Sequence, residues 1–297
     1  MEPLVNNVFD CALAFEGGGY RGAYTAGIVN VLLEHDIWFD YVCGVSAGAS
    51  HTLNYVSRDQ QRAKFAFMAK EGAEPVGGLR TFVQGKGYFN ADYLYEGCLS
   101  DGFAPFDWET FSANPATIRI QAFERDTGRT VTFGREDMPD VWQAFKRMRA
   151  SSTIPGAMKP APIGGKVLLD GGLGEGAGIP VGMAEADGFK RIVFVATREQ
   201  GYWKRPLSPA MRLAMTRMFG RYPCLLEALL TRPERYDVAL GHVKQLEREG
   251  RALVIRPDTM PIRNGTIDSQ QLEHAYNLGH EQGMHELPRI LEFVGLS

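Results

Sequence analysis

The apolar run Tyr41-Val42-Cys43 passes directly into Gly44-Val45-Ser46-Ala47-Gly48, and this junction constrains the chain more than any other stretch. A short apolar run bounded by glycine reads as a buried strand. The small residues that follow, Ala47 to Tyr55, read as a helix. Going from strand to helix within two residues demands a sharp turn, and glycine on both sides of Ser46 removes the side chains that would collide there. The Ser46 hydroxyl is therefore predicted at the top of a sheet, at the positive end of the following helix. Taken alone, G-x-S-x-G also fits an ordinary small-residue turn with a serine cap. Two further stretches decide between these readings.

The first precedes the serine. Cys11-Ala12-Leu13-Ala14-Phe15-Glu16 is a buried strand by its run of apolar residues, and it stops at Gly17-Gly18-Gly19-Tyr20-Arg21-Gly22. Ala23, Ala26, Ile28, Val31 and Leu32 then recur at helical spacing to about Glu34. Gly17, Gly19 and Gly22 match G-x-G-x-x-G, so a nucleotide-binding module is one reading, with Asp40 near the distance of a ribose-binding acid. Against it, Asp40 precedes the second strand instead of ending it, and that strand delivers Ser46. Glycines here equally suit a loop that presents backbone N–H groups to a negative oxygen.

The second stretch is Gly165-Lys166-Val167-Leu168-Leu169-Asp170-Gly171-Gly172, an apolar strand ending in an aspartate and two glycines. Asp-Gly-Gly is a common turn, but in open α/β sheets the chemistry gathers at strand ends of this kind. Between these motifs, Ala116–Phe123 and Arg129–Phe133 flank Asp126-Thr127-Gly128 as a hairpin. Gln60 to Lys70 and Met138 to Arg149 read as helices, and Ala150 to Ala157 as a small-residue loop. The segment from Gly77 to Trp108 is irregular, and its aromatics (Phe82, Tyr88, Phe89, Tyr93, Tyr95, Phe103, Phe106, Trp108) either pack it onto the core or line a site.

After Asp170 come a buried strand at Arg191–Ala196 and a further one at Ala252–Ile255. Met211, Met215, Met218, Tyr222, Leu225 and Leu229 fall at helical spacing broken at Pro223. They are read as a core-covering helix, with a membrane-surface helix as the alternative. Asp268 to Phe293 reads as a closing helix, broken near Gly283.

A net charge of −3 gives no general attraction to nucleic acid or anionic lipid. No apolar run approaches the roughly 20 residues of a membrane span, and Met1-Glu2-Pro3-Leu4 does not begin a signal peptide. Cys11, Cys43, Cys98 and Cys224 are scattered, with no C-x-x-C pair, and read as small buried hydrophobes of a reducing compartment. The expectation is a cytoplasmic protein, peripheral to the inner membrane surface if the membrane-helix alternative holds. No repeat or linker divides residues 1–297, so one domain is expected.

Taken together and in order, Gly17-Gly18-Gly19-Tyr20-Arg21-Gly22, Gly44-Val45-Ser46-Ala47-Gly48 and Asp170-Gly171-Gly172 resemble the patatin-like phospholipases. Ala150-Ser151-Ser152-Thr153-Ile154-Pro155-Gly156 resembles the family's approach to its aspartate. The resemblance spans about residues 11–200. It implies a three-layer α/β/α fold with a central, mostly parallel sheet, followed by a mainly helical extension over about 201–297. It further implies a serine acyl hydrolase of phospholipids or lysophospholipids, with Ser46 as nucleophile, Asp170 as base and Gly17, Gly18 and Gly19 as oxyanion hole. Arg21, Gly22, Gly44, Gly48, Gly171 and Gly172 support these motifs, and no metal or other cofactor is implied. Glu16 departs from the family, where a smaller residue or Asp is usual. A soluble carboxylesterase with little lipid preference is the nearest alternative.

A dyad without histidine is chemically sufficient. General-base help is worth roughly 10² to 10⁴ in rate, or about 3 to 5 kcal/mol, and each oxyanion donor about 2.7 to 4 kcal/mol. Two or three amides of the glycine loop therefore outweigh a weak base. His242, His274, His280 and His285 follow Asp170 but fall in predicted helices, and His51 lies inside the helix after Ser46. A Ser-Asp-His triad is the less favoured arrangement.

Overall fold

The computed structural model describes residues 4–68, 76–100, 102 and 104–296. Residues 1–3 and 69–75, Asp101, Phe103, Ser297 and the side chains of Cys98 and Ala161 lie outside the described residues. Eight strands form one sheet: β1 Cys11–Phe15, β2 Tyr41–Val45, β3 Thr117–Glu124, β4 Thr130–Phe133, β5 Ala161–Ile163, β6 Lys166–Asp170, β7 Arg191–Val195 and β8 Ala252–Ile255. Their order is β5-β6-β3-β2-β1-β7-β8, with β4 also on β3. Strands β3, β2, β1, β7 and β8 are mutually parallel. Strands β4 and β6 run antiparallel to β3, and β5 antiparallel to β6.

The sheet is apolar on both faces because helices cover both, as a parallel sheet requires. Successive strand residues point to opposite faces, and β1 shows the consequence. Cys11, Leu13 and Phe15 join a core with α1 Gly22–Glu34, α2 Ala47–Val56, α4 Val141–Ser152 and α8 Ser269–Val294. Ala12 and Ala14 face α5 Val181–Ala186 and α7 Pro223–Arg248, where Tyr236, Val243 and Leu246 are buried. Two short helices complete the described set used below: α3 Gln60–Phe65 and α6 Pro209–Phe219. The fold is three-layer α/β/α with a C-terminal helical region. Strand β8 adds to the sheet edge from within that region.

Several boundaries differ from the sequence expectation, each for a local reason. Helix α4 begins at Val141 because the Asp140 carboxylate caps it, accepting from Gln143 N. It continues through Ala150-Ser151-Ser152, which were expected in a loop, because these small residues are buried against the sheet. Helix α3 ends at Phe65. Helix α8 starts after Asp268, which caps Gln271 N, and runs unbroken past Gly283. There, Gly279 and Gly27 allow α8 and α1 to approach backbone to backbone: a Cβ on either would strike main-chain atoms of the other helix. Helix α7 starts at Pro223 and passes through Pro233 to Arg248, beyond the stripe of residues at helical spacing that stops at Leu229. The core-covering reading divides at Pro223: no residue of α6 is buried, whereas Leu225 of α7 is buried with Phe123, Leu169 and Leu173, and Tyr222 and Leu229 pack against them.

Candidate active site

Strand register brings the two chemical motifs together. Along β3, Gln121 pairs with Val45 at the end of β2, and the next residue, Ala122, pairs with Asp170 at the end of β6. The two strand ends meet at adjacent positions of β3. Asp170 thus reaches the site on a strand that runs antiparallel to β3.

After Val45 the backbone turns at Ser46, which adopts φ 58° and ψ −120°. A non-glycine residue in this region is strained, and such strain gathers at functional sites. The turn is held by the Ser46 N–H, which donates to Ser151 Oγ at 2.9 Å. Gly48 is required because a Cβ there would run into the Phe15 carbonyl, and Gly44 packs equally closely on Gly48. Ser46 Oγ donates to Asp170 Oδ2 at 2.7 Å. Asp170 Oδ1 accepts from Gly172 N at 2.7 Å, and Asp170 N donates to Thr153 O at 2.8 Å. Both carboxylate oxygens and the backbone are therefore fixed.

Asp170 keeps part of its surface open to the cleft, but its carboxylate is enclosed by protein. Burial raises its pKa above the ordinary carboxylate value. The Ser46 hydroxyl, the Arg232 guanidinium, the Gly172 N–H and the Lys204 ammonium pull it back, and burial wins. Arg232 donates to Gly172 O at 2.6 Å and to Ala177 O at 3.0 Å, clamping the loop behind the aspartate.

The first glycine loop lies beside the serine: a Cβ on Gly17 would sit 3.3 Å from Ser46 Cβ. Gly17 N–H is already engaged, donating to Gly178 O at 3.0 Å. Among the described residues, Gly18 and Gly19 N–H have no protein acceptor. Gly19 has φ +56° and faces Asn264, whose carbonyl a Cβ would meet at 2.6 Å. Buried Arg21 anchors the loop, donating through Nε to Thr197 O at 3.1 Å and through Nη1 to Asn264 Oδ1. Glu16, also buried, accepts from Thr197 N at 2.6 Å and from Tyr236 OH at 2.6 Å. Gly22 lies against Phe67, and Gly171 against the Gln121 carbonyl.

Ser151, Thr197, Arg232, Tyr236 and Asn264 hold the site together, yet only Ser151 lies in a stretch that the sequence singled out. The others carry no local signal, because they act through contacts with residues 55 to 243 positions away.

An apolar cavity of about 110 Å³ opens beside Ser46, with Phe65, Phe67, Phe89, Leu94, Met148 and Met158 in its wall. Of the aromatics of the irregular segment, Phe89, Tyr93 and Tyr95 line it, while Phe82 and Tyr88 are exposed. His51 is fully buried and stacks on Phe67, and burial pushes its pKa down to about 3, so it is neutral. His242 bonds Glu185 at 2.6 Å and His280 bonds Glu34 at 2.8 Å. No histidine bonds Ser46 or Asp170 among the described residues. Nor do these contain a cluster of His, Cys, Asp or Glu fit to hold a metal.

A sequence model of the patatin-like phospholipase family matches residues 13–184. The chain belongs to that family. A second model, a domain of unknown function (DUF6363), matches residues 222–295, the part that supplies Arg232, Tyr236 and Asn264. The uncharacterized protein YjjU of Escherichia coli K12 is 29% identical over 201 residues, covering 63% of this chain and 51% of that protein. Lysophospholipase NTE1 of Debaryomyces hansenii is 28% identical over 184 residues, covering 62% of this chain and 11% of that protein. The chain thus spans about half the length of the first and about a tenth of the second. The crystal structure of VipD from Legionella pneumophila aligns with a TM-score of 0.50 at 14% identity, covering 94% of this chain and 67% of that one. That likeness concerns the fold.

Proposed function

We propose that this patatin-like protein is a serine acyl hydrolase that cleaves a carboxylic ester of a phospholipid or lysophospholipid. The observation that carries the reading is the 2.7 Å hydrogen bond from Ser46 Oγ to Asp170 Oδ2 at the edge of an apolar cavity. In the first half-reaction Asp170 takes the Ser46 proton as Oγ attacks the ester carbonyl. The negative oxygen that forms is met by the Gly18 and Gly19 amides, with Gly17 shaping the loop. Collapse of this intermediate breaks the ester C–O bond, the alcohol leaves with the proton from Asp170, and the acyl group stays on Ser46. A water then repeats the cycle in the second half, giving the fatty acid and restoring the serine.

The raised pKa of Asp170 supports the assignment, since a base works best when its pKa lies closer to the operating pH. The nucleotide-binding reading finds little support, because the glycine loop is packed against Ser46, Thr197 and Phe67.

Helix α6 supports contact with a lipid surface and so favours lipid over small soluble esters. Met211, Leu213 and Met218 are exposed on it. Arg205, Arg212, Arg217 and Arg221 lie in or around it, and no acidic residue occurs between Glu199 and Glu227. Met218 Sδ lies 3.3 Å from the Cβ position of Gly156, in the loop whose Ile154 and Met158 line the cavity. The apolar and basic helix thus stands next to the cavity, as a peripheral lipid-surface contact would need. No helix of the described residues is long and apolar enough to cross a membrane.

The test is a panel of defined phospholipids and lysophospholipids incubated with wild type and Ser46→Ala, with fatty acid release measured. A fluorophosphonate should add its mass at Ser46. Release that persists in Ser46→Ala, or an unlabelled Ser46 in a folded protein, would remove the proposal.

A further inference from the structure

The cavity beside Ser46 is apolar along most of its wall, but one side carries polar groups. Helix α2 runs along it, and its residues Ser50 and Asn54 lie one and two turns beyond Ser46, about 6 and 12 Å along the axis. Ser152, at the end of α4, lines the same space. Asn54 is 1% exposed and Ser152 5%.

The orientation of the Asn54 amide is fixed by its neighbour. Arg62 Nε can only donate, and it donates to Asn54 Oδ1 at 3.0 Å. The Arg62 guanidinium is itself held by the Ala104 and Pro105 carbonyls. Asn54 Nδ2 must therefore be the opposite group, and it has no hydrogen-bond partner. Ser152 Oγ has none either. Buried polar atoms in native proteins nearly always find partners, so two unpaired atoms on residues that line one cavity point to a ligand that completes them.

A plain alkyl chain would seal both groups away from water and leave both unpaired. A chain hydroxyl fits them instead, since its oxygen accepts from Asn54 Nδ2 while its hydrogen goes to Ser152 Oγ. We propose that the acyl group taken into this cavity carries a hydroxyl well down its chain, recognised by Asn54 and Ser152. The inference rests on the acyl-hydrolase reading only for the end of the ligand that lies at Ser46. Ordered water on the same two atoms is the competing occupant.

Binding of 10-hydroxystearate and of stearate to Ser46→Ala, measured by calorimetry below their aggregation limits, separates the two. The hydroxy acid should bind about three- to tenfold more tightly, the value of about one net hydrogen bond. Asn54→Leu should bring the two acids to one affinity, and Ser152→Ala should narrow the gap, with thermal melts checking that each variant folds. Equal affinities in Ser46→Ala, or a preference that survives both substitutions, would overturn the proposal. If Asn54→Leu does not fold, Ser152→Ala and the wild-type kcat/KM ratio for the p-nitrophenyl esters of the two acids carry the test. That ratio should also favour the hydroxy ester three- to tenfold. Cleavage of both esters at equal rates sinks this inference alone, whereas tighter hydroxy-acid binding with no cleavage of either ester sinks the hydrolase reading and leaves this one standing.

Discussion

Replacing Asp170 by Asn tests the proposed dyad and its electrostatics in one molecule. The substitution keeps the shape of the side chain, and its carbonyl oxygen can still accept from Gly172 N, now at 2.7 Å. On the other side an amide N–H replaces Oδ2, which accepts from Ser46 Oγ at 2.7 Å. The hydroxyl has lone pairs to accept that N–H, so the hydrogen bond survives with its direction reversed. What disappears is the base. The expected loss in kcat is at least about 10² to 10⁴, or about 3 to 5 kcal/mol of barrier.

Stability should move the other way. Burial raises the Asp170 pKa in the folded protein, so between the ordinary carboxylate value and the raised one the native state holds more of this proton than the unfolded chain. Its stabilising contribution is complete below the unfolded value of about 3.9 and is lost as pH rises through the folded one. At neutral pH the wild type thus carries the cost of a buried carboxylate that Asn avoids. The melting temperature of Asp170→Asn should match wild type at about pH 4 and equal or exceed it at about pH 7. By the same sign, wild-type activity should fall on acidification through a midpoint above the ordinary carboxylate range. Ester hydrolysis and thermal melts across pH, on both proteins, provide the measurement. A folded Asp170→Asn that keeps more than about a tenth of wild-type kcat would refute the assignment of the base. A variant that melts well below wild type only at neutral pH would refute the account of its burial.

Gly19→Ala forces a side chain onto a residue at φ +56° and into the Asn264 carbonyl. It should cost roughly 1 kcal/mol or more in stability, and should lower kcat about 10²- to 10³-fold by displacing an oxyanion donor. Normal turnover in that variant would argue against the glycine loop as the anion site. Alanine at His242, His274, His280 or His285, taken singly, should leave kcat/KM within about threefold, a change below 1 kcal/mol. A folded but inactive histidine variant would replace the dyad by a triad. Leu213→Asp with Met218→Asp, both on the exposed helix α6, should weaken sedimentation with anionic vesicles and spare hydrolysis of a short soluble ester. Unchanged vesicle binding would detach α6 from any membrane role.

Much of the site was written in short stretches of sequence. The turn at Ser46 could be read because strand, glycines and small-residue helix lie within about fifteen residues. Steric limits on φ and ψ act at that range. The pairing of buried strands with helices could be read for the same reason, since periodic burial is a local pattern. Asp170 was marked by its place at a strand end, but its antiparallel approach was not. Strand direction is decided by which neighbour the strand pairs with, and β6 pairs with β3.

Other features belong to the tertiary structure alone. Arg232, Thr197, Tyr236 and Asn264 sit in stretches with no motif, and each acts through contacts made across the fold. The methionine half of the stripe, in α6, is left uncovered while its leucine half in α7 packs on the core, because spacing tells which residues share a helix face and not what that face meets. The sequence by itself determined the elbow, the glycine loop, the aspartate and the layered α/β architecture, all set by interactions among near neighbours. Only the folded chain decided that Ser46 and Asp170 meet 124 residues apart, that the Gly17 N–H is already bonded and that Asn54 Nδ2 is left without a partner. Those facts depend on sheet register and helix packing, which no single segment encodes.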